Sequence, residues 1–189
     1  MKSLVLAALL SASASVAMAA DKYVLDSSHS QVLFSYNHLG FSTTYGMFGG
    51  FEGEIMLDQE DPAKSSVSVS MPTKSMFTGW EERDSHFMSD DFFGADDDDM
   101  ITFTSTGIEM TGDTTAKITG DLTMNDVTKS VVLDAKLNQA QMHPMAGKEW
   151  AGFNATTTLL RSDFNVDKFA PHIGDEVNVM ISLEAMKAE

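Results

Sequence analysis

The chain has 189 residues, 43% hydrophobic and 21% charged, the make-up of one globular domain and of neither a disordered tail nor a collagen-like fibre. Twelve Lys+Arg against 28 Asp+Glu leave a net charge of −16, which repels phosphate backbones and anionic lipid surfaces, so nucleic acid is not an expected partner. No cysteine is present, which excludes disulfide scaffolds, Cys-ligated zinc, iron–sulfur clusters and thiol catalysis together.

Residues 1–19 read as a secretory signal peptide. A positive start, Met1-Lys2, precedes an apolar run from Leu4 to Val16, and Ala17-Met18-Ala19 offers small residues where a signal peptidase reads them. The run is interrupted by Ser11, Ser13 and Ser15 and falls short of the ~20 apolar residues of a spanning helix. The expectation is a mature domain of residues 20–189, starting at Ala20, soluble and periplasmic.

Strands then follow one another. Gln31 to His38 and Tyr45 to Asp58 are rich in aromatic and β-branched residues, and the second carries Gly46, Gly49, Gly50 and Gly53, read as bends or bulges of a barrel corner. Ser65 opens a Ser-Val-Ser-Val-Ser-Met alternation after an Asp-Pro turn. Trp80 to Phe93 breaks the pattern: Trp80, Phe87 and Met88 recur at helical spacing behind acidic residues, which predicts one short helix over an end of the barrel. Asp96 to Asp99 reads as a solvated acidic loop, without the glycine and terminal glutamate of an EF-hand. Ile101 to Met110, Ile118 to Met124, Val131 to Leu137 and Trp150 to Leu160 are further strands, with short turns at Thr111-Gly112-Asp113 and Asn125-Asp126. His172 to Asp175 reads as the turn before a last strand, in which Val177, Val179, Ile181 and Leu183 alternate with polar or flexible side chains. About eight or nine strands in one domain make an all-β barrel or sandwich.

Chemistry is sparse. The nucleophile elbow, the zinc-protease helix, the phosphate-binding loop and the dinucleotide fingerprint are all missing, which points away from an enzyme. The five histidines show no metal-ligand spacing, so no metal is expected beyond what folding itself could assemble. Arg83 and Arg161 are the only arginines, each closely followed by an aspartate, and a guanidinium there serves equally to fix a loop or to meet a polar ligand head. Fourteen Met and 12 Phe suit either ordinary core filling or a cavity for a flexible apolar guest.

The segments resemble, in order and spacing, the YceI-like family of secreted bacterial proteins. The matching residues begin with Tyr23-x-Leu25-Asp26-x-x-His29-Ser30-x-Val32-x-Phe34, His38-x-Gly40-x-Ser42, Gly46-x-Phe48 and Phe51-x-Gly53. They continue with Arg83-Asp84-x-His86-Phe87, Asp91-Phe92-Phe93, Ile101-Thr102-Phe103-x-Ser105-Thr106, Gly120 to Met124 with Val127-Thr128-Lys129, and Arg161-Ser162-Asp163-Phe164. Departures fall in loops: Asn125-Asp126 stands where the family usually turns on His-Gly or similar, Asn165 where it has Gly, and Asp96 to Asp99 where it has a Tyr-Pro pair.

The resemblance implies a lipocalin-like, eight-stranded antiparallel barrel whose apolar tunnel holds a polyisoprenoid such as a ubiquinone or prenyl pyrophosphate, or another long-chain amphiphile. It implies no catalysis and no catalytic cofactor. The matching polar positions His29, His38, Arg83, His86 and Arg161 are the candidates for meeting a head group. Phe34, Tyr36, Phe41, Phe48, Phe51, Phe77, Phe87, Phe103 and Phe153 are the candidates for the tunnel wall, each dependent on strand register. Expected partners are the lipid, a membrane protein that delivers or receives it, and a second copy in a homodimer. The competing expectations are a stress or interaction protein whose barrel is filled by its own side chains, and an enzyme acting on the lipid.

Overall fold

The computed structural model describes residues 20–189, so the expected signal peptide lies outside the described residues. Ten strand segments form one antiparallel sheet: β1 (Asp21–Leu25), β2 (Gln31–His38), β3 (Ser42–Phe48), β4 (Glu52–Leu57), β5 (Ser66–Pro72), β6 (Met100–Met110), β7 (Thr115–Met124), β8 (Val127–Met142), β9 (Glu149–Leu160) and β10 (Ile173–Lys187). The spatial order is β1-β4-β5-β6-β7-β8-β9-β10-β2-β3, and a further pairing of β1 with β10 closes the ring. The ten segments amount to eight staves, because β1 with β2 and β3 with β4 are each one stave broken in the middle. β10 spans both halves of the first break: Ile173 to Ser182 pair with β2, and Ala185 to Lys187 pair with β1.

The breaks have local causes. Between β1 and β2, the Asp26 carboxylate accepts from the Ser28 amide at 3.0 Å and caps a short turn over Ser27–His29. The single strand expected over Tyr45 to Asp58 is two strands, divided at Gly49-Gly50, where Gly50 takes φ +66. The β7–β8 hairpin turns on Asn125 and Asp126, both at positive φ, as a two-residue turn needs. Asn165 also sits in the left-handed region, φ 57, a conformation asparagine adopts more readily than most residues with a Cβ. His172 to Asp175 is not wholly a turn: β10 already begins at Ile173 and carries a register shift before Val177.

The helix is shorter than the spacing predicts. α1 covers Glu81–Met88, and the chain then folds back through turns in which the Phe93 amide donates to the Phe87 carbonyl at 3.1 Å and Ala95 to Met88 at 2.9 Å. Trp80 is not on the buried face. It stands at the N-cap position without a side-chain capping bond, 57% exposed, with the Arg83 guanidinium 5.7 Å from its ring centroid. Phe87 meets Tyr36 and Phe92 edge-on at 6.2 and 5.0 Å, so α1 and the turns behind it plug one end of the barrel with aromatic rings.

Candidate functional site

Inside the barrel is a cavity of about 410 Å³. Its existence follows from how the staves are filled. The inward aromatic residues cluster on β2, β3, the β3–β4 break and α1, among them Phe34, Tyr36, Phe48, Phe51 and Phe87, while β7, β8 and β9 face the interior mainly with small or aliphatic side chains such as Ala116, Ala135, Ala155, Val131 and Thr157, Phe153 on β9 excepted. An eight-stranded ring is just wide enough for side chains to fill, so a wall of alanine and valine leaves room. The burial pattern records the result: Val131, Leu133, Ala135 and Leu137 of β8 and Phe153, Ala155, Thr157 and Leu159 of β9 are half-buried rather than buried, because they still face open space. The barrel is not filled by its own side chains.

The two ends differ. Tyr36, Met76, Phe92, Ile101 and Val166 are buried where the lining meets α1 and the Arg161–Phe164 turn. At the far end the lining includes Gln59, Ser66, Met110, Asp113 and Thr114, all exposed, so the mouth lies between the β4–β5 and β6–β7 connections.

Seven of the nine aromatic candidates line this cavity: Phe34, Tyr36, Phe48, Phe51, Phe87, Phe103 and Phe153. Phe41 and Phe77 do not. Phe41 is 91% exposed in the β2–β3 turn, where no strand register governs its direction. Phe77 is 60% exposed and holds its place through its backbone, exchanging two hydrogen bonds with Met47 at 2.8 and 2.9 Å. The aliphatic wall of β7 to β10 is absent from the aromatic candidates, although period-two alternation marks it in the sequence.

The polar candidates are dispersed. His29 is exposed in the β1–β2 break, 2.6 Å from the Asp26 carboxylate, which raises the imidazole pKa by hydrogen bond and charge and is itself lowered in return. Asp26 and His29 lie beside the outward-facing Glu184, the only His and carboxylate grouping among the described residues dense enough for a metal, but that carboxylate accepts from Trp150 Nε1 at 2.8 Å. His38 ends β2 outside the cavity lining. His86 lies 3.0 Å from Asp91 and packs on Phe92 at 5.1 Å. Arg83 donates Nε to Thr78 Oγ1 and Nη2 to the Thr78 carbonyl, both at 2.8 Å, which braces the turn before α1.

Arg161 alone among these lines the cavity, at the closed end. Its guanidinium donates to the carbonyls of Gly174 (2.9 Å), Val166 (2.6 Å), Lys168 (3.3 Å) and Ile173 (3.0 Å), tying the turn after β9 to the start of β10. Burial lowers its pKa, against the pull of Asp175 and Asp167. Burial also works against the Asp175 carboxylate, but the Ser162 hydroxyl and amide, at 2.7 and 2.8 Å, outweigh it and hold that pKa below its usual value.

A hollow, apolar barrel of this kind can enclose a chain-like guest. Residues 23–185 match the YceI-like domain. The chain is 42% identical over 187 residues to a UPF0312 protein of Ectopseudomonas mendocina, covering 96% of this chain and 97% of that one. Its fold is similar to the crystal structure of the Campylobacter jejuni YCEI protein, with TM-score 0.72 and 31% identity over 81% of this chain and 90% of that chain. It is also similar, at TM-score 0.69 and 13% identity over 88% and 98% of the two chains, to a polyisoprenoid binding domain from Saccharophagus degradans. The chain belongs to the YceI-like family.

Proposed function

We propose that this is a periplasmic binding protein that holds one long-chain isoprenoid lipid, of ubiquinone or prenyl pyrophosphate type, for transport, storage or scavenging. The apolar cavity of about 410 Å³ carries the reading, since a wall of half-buried Val, Leu, Ala and Phe gains most from a guest that removes it from water. Burial yields ~0.8 kcal/mol per CH₂ equivalent, so a few prenyl units offset the cost of ordering a flexible chain. The name of the Saccharophagus degradans domain supports the same ligand class. Signal-peptide features in residues 1–19 support export, and sequencing of the exported form should begin at Ala20.

The decisive experiment is native mass spectrometry of protein purified from its own periplasm, followed by organic extraction. A co-purifying isoprenoid, and affinity of delipidated protein that rises with quinone chain length, are expected. Length-independent affinity, or no binding at any length, refutes the reading. Calorimetry suits this titration better than fluorescence, because neither Trp80 nor Trp150 lines the cavity.

A further inference from the structure

The cavity wall is apolar almost throughout, yet its closed end holds two polar groups that the fold does not use up. The first is Tyr36, 6% exposed and lining the cavity. Its hydroxyl has no hydrogen-bond partner among the described residues, and no side-chain nitrogen or oxygen there is both sealed and unpartnered, so this hydroxyl faces open space. For an inward residue of β2 that space is the cavity.

The second is Arg161. Its four bonds to carbonyls occupy Nε, both hydrogens of Nη1 and one of Nη2, leaving one N–H uncommitted. Its charge is met by backbone carbonyls in contact and by Asp175 and Asp167 at longer range. The fold brings the two close: Tyr36, Val177 and Leu159 form one cross-strand row, Arg161 opens the turn that follows β9 two residues beyond Leu159, both side chains line the cavity, and Tyr36 lies near enough to act on the Arg161 charge. The Phe87 ring, 6.2 Å from that of Tyr36, covers this corner. At the mouth, by contrast, the lining carries Asp113 and no cation.

We propose that the Tyr36 hydroxyl and the free N–H of Arg161 form a polar seat at the closed end of the tunnel, which takes one acceptor oxygen, a carbonyl or carboxylate, at the end of a long apolar ligand. The ligand lies head inward, with its tail toward the mouth. Two donors and one largely satisfied guanidinium match a single carbonyl or carboxylate; they do not balance a diphosphate, whose several charges would stand unpaired against an apolar wall. This rests on the isoprenoid reading above and narrows it to the class of head group.

The test compares four probes with the same fifteen-carbon chain: farnesal, farnesoic acid, farnesyl diphosphate and the hydrocarbon farnesene. Each is titrated calorimetrically into wild type and into Tyr36→Phe, which removes one hydroxyl that bonds to nothing in the protein. Farnesal and farnesoic acid should bind more tightly than farnesene, and Tyr36→Phe should weaken both by about three- to tenfold while leaving farnesene unchanged. Nuclear Overhauser effects from the farnesal aldehyde proton should reach the rings of Tyr36 and Phe87. Unchanged affinity for farnesal and farnesoic acid in Tyr36→Phe, effects to the Met110 methyl instead of Tyr36, or farnesyl diphosphate as the tightest probe would each overturn the seat. If farnesene binds and the head makes no difference, only the seat falls. If farnesene fails to bind as well, the tunnel reading falls with it.

Discussion

Alanine at Gly46 should press an aromatic ring into the tunnel. Gly46 and Phe34 are register partners on β3 and β2, and the Phe34 ring lies over the glycine so closely that an added Cβ would sit 2.3 Å from Cζ and 2.7 Å from Cε1. The three nearest atoms all belong to that ring, so it must swing into the cavity and leave its packing on Phe48, whose centroid is 5.5 Å away. Overpacking of this kind costs about 1–3 kcal/mol, which for a domain of this size lowers Tm by roughly 3–9 °C. Far-UV circular dichroism melts of Gly46→Ala, Phe34→Leu and the double variant measure the coupling. The double variant should be more stable than the sum of the singles predicts, because leucine has no ring to displace. Gly120 behaves differently. A Cβ there meets the Phe103 ring at 2.3 Å and also the Thr104 carbonyl oxygen at 2.6 Å, so Phe103→Leu relieves only part of the clash. Additive losses at Gly46, or equal rescue at both glycines, would refute the argument that ring position alone sets the first cost.

Arg161→Met should lower stability by about 3 kcal/mol or more, since several carbonyls lose a charged donor at once, and Arg161→Lys should not restore it because an ammonium cannot span the four; urea denaturation measures both. Phe41→Ser should change Tm and ligand affinity negligibly, within ~0.5 kcal/mol, as the ring is exposed and off the lining. The His29–Asp26 pair predicts a pH profile. The raised imidazole pKa contributes stability below the unfolded histidine pKa, lost as pH rises through the folded value, and the lowered Asp26 pKa contributes stability lost as pH falls through its folded value. Melts across this range should show a small decline on the alkaline side in wild type that His29→Gln lacks; superimposable profiles would exclude the pair from the pH response.

The strands were legible because each has one face inward, and alternation along β5, β8 and β10 states which face. The same alternation marks Val131, Leu133 and Ala135 as tunnel wall, a reading that attention to aromatic residues alone passes over. Less legible were the two broken staves, where a three-residue turn and a Gly-Gly pair interrupt runs whose composition stays strand-like on both sides. Phe41 and Phe77 show the limit of composition: a large ring reads as interior until the backbone around it proves to be a turn or an isolated bridge. The roles of Arg83 and Arg161 depend on carbonyls that only folding brings near, such as Gly174 thirteen residues after Arg161, and no local motif announces those.

The second broken stave leaves the ring unevenly sewn. Beyond Gly50, β4 pairs with β5 in full, but among the described residues β3 is joined on that side only at Met47 and Phe77. Amides on an antiparallel strand alternate in direction, so those of Thr43 and Tyr45, which share the parity of Met47, point to an edge with no ladder partner among the described residues, while those of Thr44 and Gly46 point to β2. In hydrogen exchange, Thr43 and Tyr45 should therefore trade their protons orders of magnitude faster than Thr44 and Gly46. This alternation, fast and slow by turns along one short strand, would map the seam residue by residue, and it sets the weakest stitching of the wall beside the aromatic plug rather than at the open mouth.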